Sequence, residues 1–308
     1  MILRYEYLSQ HTKVFQSMTG LRVSEFDALV EAVLPGYQAA EESRLSRPDR
    51  QRAMGAGHPF ALEDGDHILL TVAWLRVYPT HEVLGYLFGV SAITAGRTIK
   101  RVLPVLEPAG RDTMRLPDPG KKRGRSLDDL LRDTPELAVV IDSFEQRVQR
   151  CRDKPEADSY YSGKKKQHTL KSQGAVDEET GQVIDTSESV RGPTADITLL
   201  EQSGLLTRLP EGVGGIGDLA YVGIEKLHPE GLGASPRRKP RGKPRPDEDV
   251  LYNTAFSRRR IIVENTLGRM RRYQSITQTD RNHRQHHAPR VAAIAGLVNR
   301  QIAARMPG

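Results

Sequence analysis

Leu137-Ala138-Val139-Val140-Ile141 is a short unbroken apolar run that stops on Asp142. Such a run reads as a strand buried at the centre of a sheet, with Asp142 at its C-terminal end where the sheet meets solvent. The residues around it extend the pattern. A hairpin through RVQRC is expected next, followed by a polar loop, YYSGKKKQ. HTLKSQGAV and VIDTSESV then form a second hairpin across the turn DEETGQ, where Gly181 serves the tight turn. Pro193 is expected to open a helix, ADITLLEQSGLL, with Ile197, Leu200 and Leu205 inward. A further strand, GVGGIGD, delivers Asp218, and Gly217 lets backbone approach closely there.

Asn253 to Arg272 (NTAFSRRRIIVENTLGRMRR) reads as a helix that Ser257 can cap. Phe256, Val263, Leu267 and Met270 share one face at 3.6 residues per turn, with Glu264 at its edge beside Arg260 and Arg271. Taken alone, Glu264 would be half of an i,i+4 surface pair with Arg260 contributing about 0.3–0.5 kcal/mol. From 231 to 249 a Pro-rich basic stretch, LGASPRRKPRGKPRPDED, reads as a mobile loop without a core. His283, His286 and His287 precede a terminal helix and lack the acidic or thiol partner of a histidine metal site.

Upstream the periodicity is helical. Residues 1–62 are expected to be mostly helix, with Ser24 a cap, a break at Pro35-Gly36 and a polar second segment to about Met54. From about Asp66 to Leu106 three short helices with tight joints, two of them capped by Thr80 and Ser91, suggest a helix-turn-helix unit. In the third, Ala92, Ala95, Ile99, Val102 and Leu103 make the inner face. Thr94, Arg97 and Arg101 line the opposite one, a small cationic surface suited to a major groove, and Pro104 marks the helix end. Residues 108–135, with the cationic run KKRGR, read as a linker. The layout is therefore a helical region at 1–107, a linker, and an α/β domain at 136–308.

A chain of 308 residues accommodates two such domains, each with its own core. With 46 Lys+Arg against 39 Asp+Glu and a net charge of +7, a polyanionic partner is favoured. Cys151 is the single cysteine, which excludes a disulfide framework and a Cys-rich zinc site and leaves oxygen ligands for any metal. No apolar run approaches the roughly 20 residues that span a bilayer, and the N-terminus lacks a signal core, so a soluble cytoplasmic protein is expected.

Asp142, Asp218 and Glu264 are the acids this topology could bring to one cleft. Clustered carboxylates repel unless a divalent cation offsets them, and such ligands suit Mg²⁺ or Mn²⁺. Two such ions about 3.5–4 Å apart support in-line displacement at phosphorus, the chemistry of nucleases and strand transferases. Asp177 and Asp185, in or beside the hairpin turn, read as structural.

VVIDSF (139–144), YYSGKKKQHTLKSQ (160–173), RGPTADITLL (191–200), GDLAY (217–221) and RRRIIVENTLGRMRR (258–272), in that order, resemble a DDE transposase of the IS5 and PIF/Harbinger type. The unit at 66–106 resembles the helix-turn-helix that accompanies that domain, and together these cover about two thirds of the chain. The resemblance implies an RNase H-like domain, a mixed sheet flanked by helices, with Asp142, Asp218 and Glu264 as metal ligands for two Mg²⁺ or Mn²⁺ ions. It departs where Asp142-Ser143-Phe144 replaces the usual Asp-Gly-Thr, and where Ala195 precedes Asp196 in place of His, which makes Asp196 the competing acid, with capping near a helix N-terminus as its plainer role. Lys164, Lys165, Lys166 and His168 are expected on phosphate, and Arg260 and Arg271 on DNA. The implied function is binding of terminal inverted repeats in double-stranded DNA, with cleavage and strand transfer, by a homodimer or higher oligomer. A DNA-binding regulator without cleavage, or a plain metal-dependent nuclease, are the alternatives.

Overall fold

The computed structural model describes residues 2–46, 61–120 and 129–306. The end of the polar segment near Met54 and the KKRGR run lie outside them. Helices come first: α1 (Tyr5–Leu8), α2 (Thr12–Thr19), α3 (Val23–Leu45), α4 (Asp64–Val77), α5 (His81–Phe88) and α6 (Ala92–Arg111). The sheet follows as β1 (Leu137–Arg147), α7 (Lys154–Ser159), β2 (Tyr161–Ser162), β3 (Gln167–Asp177), β4 (Val183–Thr186) and β5 (Val190–Arg191). Helices α8 (Asp196–Ser203) and α9 (Leu205–Arg208) lead to β6 (Val213–Ile216), α10 (Ile224–Leu227), β7 (Gly233–Ala234), α11 (Asp247–Met270) and α12 (His287–Ala303).

The sheet is mixed, ordered β2-β3-β1-β6-β7, with β4 and β5 also paired to β3. β1 runs antiparallel to β3 and parallel to β6. Its apolar run is buried on both sides. Ala138, Val140 and Phe144 join the large core beneath α6, α11 and α12, while Val139 and Ile141 join a smaller core with Leu200, Leu205 and Leu206. Helices therefore cover both faces of an α/β sheet, as the sequence predicts. The expected hairpin after β1 does not form, because β1 continues as one strand to Arg147 against β3. The β3–β4 hairpin does form, with Gly181 at φ +72.

Helix ends differ most from expectation. α3 runs through Pro35, starts at Val23 rather than being capped by Ser24, and α6 runs through Pro104 and Pro108. Each internal proline removes a helix hydrogen bond and costs about 3 kcal/mol, and packing offsets the loss. Leu103, Leu106 and Gly110 of α6 are buried. A Cβ on Gly110 would lie 2.6 Å from the Ala292 carbonyl oxygen, and one on Gly296 would lie 2.2 Å from Gly110 Cα, so α6 and α12 touch backbone to backbone. The helical part and the sheet thus share one continuous core rather than having one each. The helix expected from Pro193 begins at Asp196 and breaks at Gly204, φ +61. α11 starts at Asp247, with Asp247, Glu248 and Asp249 in its first turn, so Ser257 lies mid-helix and caps nothing. Phe256, Val263, Leu267 and Met270 form its buried face as predicted.

The basic stretch at 231–249 is less free than its composition suggests. β7 adds to the sheet, and Arg237 binds Glu248 and Asp249 and lies 4.3 Å from the centre of the Tyr252 ring. Among the described residues no helix is long and apolar enough to cross a membrane.

Candidate active site and nucleic-acid surfaces

Two strand registers set the site. Val140 pairs with Ile216, the last residue of β6, so Asp142 stands where β6 turns away and Asp218 follows at the same level. Asp142 is thus in the middle of β1, not at its end as predicted, but at the end of its parallel pairing. Side chains alternate across a strand, so Asp142 shares a face with Val140 and Phe144, the face that α11 covers. Opposite it on β3 is Gly174, where a Cβ would lie 3.0 Å from Leu267 Cδ2; the absence of a side chain lets α11 cross there.

Asp142 is half-buried, and that burial pushes its carboxyl above the usual carboxylate range, with Asp218 adding to the effect. The Ser143 backbone N–H, which donates to Asp142 at 2.8 Å, and the charges of Arg260 and Arg271 oppose it. Arg260 Nε is buried without a partner. Arg271 stands 6.0 Å from the Phe144 ring centre. Glu264 is exposed on α11 and lies within about 40° on the wheel of Arg260 and Arg271, the two arginines whose charges act on Asp142. The Arg260–Glu264 surface pair does not form; Glu264 has neither an ion pair nor a hydrogen bond among the described residues. Asp142 and Asp218 are therefore brought together, with Glu264 on the adjoining helix, although no three of the described His, Cys, Asp or Glu groups form a closed ligand cluster.

Asp218 also accepts the Ala220 N–H at 2.9 Å, starting the short turn Leu219–Tyr221. Gly217 meets Tyr221: a Cβ would lie 2.6 Å from its ring. The buried Tyr221 hydroxyl donates to Gln173 Oε1 at 3.2 Å. Burial first, then the three aspartates Asp196, Asp142 and Asp218, raise its pKa.

Asp196 is committed elsewhere. It pairs with Lys171 at 2.8 Å and accepts the Ser143 hydroxyl at 2.7 Å on the other face of β1, so it is neither a cap nor a free ligand. Asp177 accepts the Glu179 and Thr180 N–H groups in the β3–β4 turn, and Asp185 pairs with Arg208. His287 is buried: Gln146 donates to the Ser275 and Gln278 carbonyls, which turns its Oε1 toward His287 Nε2 at 2.7 Å. Nδ1 then accepts from Ser189 at 2.6 Å, and burial holds the imidazole neutral, its pKa lowered to about 3. The histidine is structural.

Sequence reasoning missed Arg259. Its neighbours Arg258 and Arg260 look identical in sequence, yet Arg259 is buried, gripping Glu178 with two bonds of 2.7 and 2.6 Å and binding Thr134 Oγ1 and the Pro135 carbonyl. It fixes α11, and with it Glu264, to the sheet.

The helix-turn-helix comprises α5 and α6, capped by Thr80 and Ser91 as predicted. The outward stripe of α6 is displaced from the predicted one. Arg97 is exposed, but Arg101 turns back to Glu41 at 3.7 Å, and the Thr94 hydroxyl is held by Ser91 at 2.9 Å. The exposed stripe is Ile93, Arg97, Lys100 and Pro104. Lys164, Lys165 and Lys166 are exposed in the turn before β3, Lys166 at φ +52, and His168 stacks edgewise on Tyr161. Lys166 and His168 line a cleft of about 370 Å³ with Arg147 and Arg150.

The family model described as "DDE superfamily endonuclease" matches residues 141–299, and that described as "Helix-turn-helix of DDE superfamily endonuclease" matches residues 61–111. A protein of Microchaete diplosiphon, "Probable transposase for insertion sequence element IS702", is 28% identical over 289 residues, 94% of this chain and 94% of that protein. No solved structure matches the chain. The matches are to the superfamily and do not single out the IS5 and PIF/Harbinger type.

Proposed function

We propose a function from one premise: this chain belongs to the DDE superfamily endonucleases. It is a DNA transposase, an endonuclease that carries its own helix-turn-helix for binding DNA. In our reading it recognises the terminal inverted repeats of its insertion sequence, cuts there and transfers the strand ends, working in the cytoplasm as a dimer or larger assembly that pairs two ends.

One observation carries the chemistry. Asp142 and Asp218 stand level at the point where β1 and β6 part, and Asp142 is held above its normal pKa by burial and by its neighbour. Two hard oxygen donors that destabilise each other's charge fit a divalent cation, and Glu264, beside Arg260 and Arg271 on α11, is the third donor. When bound there, Mg²⁺ or Mn²⁺, in our reading a pair of ions, supplies Lewis-acid chemistry at phosphorus. The chain's own residues do the positioning. Arg260, with an unpartnered buried Nε, and Arg271 face the same spot and suit a phosphate oxygen. Arg259 holds α11 at the distance that Gly174 permits, and Tyr221, kept protonated, packs beside the Asp218 turn.

The test is cleavage of a duplex bearing the element's end in Mg²⁺ or Mn²⁺ by wild type and by Asp142→Asn, Asp218→Asn and Glu264→Gln. Each variant should retain binding in chelator and lose cleavage to a similar degree, because groups that act as a unit fail together. Normal cleavage by Glu264→Gln would remove it from the site. A wild type that binds but never nicks would leave a DNA-binding protein in place of an enzyme.

A further inference from the structure

Away from these carboxylates, an open cavity of about 370 Å³ beside α2, α4 and the C-terminal ends of α11 and α12 is lined by Lys13, Arg76, Arg269, Arg272, Arg305 and Gln301. Five cations line it and no acid does. None of the five has an ion pair among the described residues, although the chain forms many such pairs elsewhere. Glu25, whose charge acts on the neighbouring Tyr273, is tied to Arg22 and its backbone N–H.

These cations are crowded, not scattered. Arg76 is half-buried, stands 5.2 Å from the Tyr273 ring centre, and has its pKa lowered first by burial and then by Arg272. Arg269 is lowered likewise by burial, then by Arg305 and Arg272. Gln301 adds polarity with its amide fixed, donating to the Gly20 carbonyl at 2.8 Å and to the Tyr273 hydroxyl at 3.1 Å. A fold that gathers like charges without a counter-ion of its own leaves room for one from outside. Guanidinium forks match the paired oxygens of a phosphate better than they match a halide.

We propose that this cavity is a phosphate-binding site, built where the N-terminal helices meet α11 and α12. An occupant would bridge the two parts of the chain, with Lys13 and Arg76 on one side and Arg269, Arg272 and Arg305 on the other. A backbone phosphate of bound DNA is the occupant the open, five-cation rim fits best. Only that choice of source rests on the transposase reading; the site itself does not.

The experiment uses the full chain and Arg269→Gln/Arg272→Gln, with Arg132→Gln/Arg208→Gln as an equal-charge control drawn from residues already paired to acids. The first arm follows Tm in inorganic phosphate against chloride at matched ionic strength. Wild type and control should show a saturable rise with phosphate, and the site variant none, while its Tm in chloride is unchanged or higher because repulsion has been removed. The second arm measures the slope of log affinity against log salt for a random duplex. A loss of about 0.9 in slope for the site variant alone, the value of one phosphate contact, assigns the occupant to DNA. Loss of the Tm response with an unchanged slope assigns it to free phosphate. The proposal is overturned if the site variant matches wild type in both arms, or if the control loses as much as it does. A wild type that binds no duplex at all would count against the transposase reading, and the phosphate arm would still decide the site.

Discussion

Replacing Arg259 with Met removes four hydrogen bonds at once and takes the guanidinium away from Glu178, which is almost wholly buried. Breaking a buried pair from one side costs about 3–5 kcal/mol, because the remaining charge must stay desolvated or drag water inward. Methionine matches the arginine stem in length and apolar character, so packing loss adds little. The Thr134 hydroxyl and Pro135 carbonyl lose partners too, which places the expected cost near the upper end of that range. Replacing both Arg259 and Glu178 with Met removes both charges together, and the double variant should recover most of the loss. Urea unfolding of metal-free protein gives the numbers, read at constant m-value. The two single variants should each fall by more than about 2 kcal/mol and the double by much less than their sum. A cost below about 1 kcal/mol for Arg259→Met, or strict additivity in the double, would refute the claim that this pair fixes α11.

Two further predictions test other parts of the fold. Because Arg97 is exposed and Arg101 is engaged by Glu41, Arg97→Ala should cost about 1–3 kcal/mol on cognate DNA if it reads a base edge, and Arg101→Ala less; titration of end-containing and random duplexes separates base from phosphate contacts, and the reverse ranking would return Arg101 to the recognition face. His287 has its pKa lowered to about 3 by burial, so the unfolded chain binds its proton first: the stabilisation is complete above the unfolded pKa near 6.5 and is lost as pH falls toward 3, at up to about 1.4 kcal/mol per unit. His287→Gln should flatten that part of the stability curve, and an unchanged acid limb would show that another group causes it.

The features legible in the sequence were those decided locally. The LAVVI run, the Gly181 turn and the Thr80 and Ser91 caps each depend on residues within a few positions, and all stand where expected. Features settled by distant partners were not legible. Pro104 reads as a helix end, yet α12, far along the chain, supplies the packing that carries α6 past it and past Pro108. Arg258, Arg259 and Arg260 are interchangeable by pattern, and only Glu178, brought close by the β3–β4 hairpin, selects the middle one for burial. The same holds for the site. Asp142 and Asp218 were readable from the apolar runs that precede them, although β1 continues five residues past Asp142 instead of ending there, while Lys171 claiming Asp196 and Glu41 claiming Arg101 required the fold.

The contact between Gly110 and Gly296 also bears on the order in which a newly made chain becomes useful. The residues beside it, Thr113 and Asn299, are 186 positions apart, so α6 gains its closest partner only after nearly the whole polypeptide has been synthesised. Contacts at such separation form late because a long loop must close first. The second helix of the helix-turn-helix is therefore finished by a helix of the endonuclease part of the chain. A fragment broken between them would carry α6 with its glycine face bare.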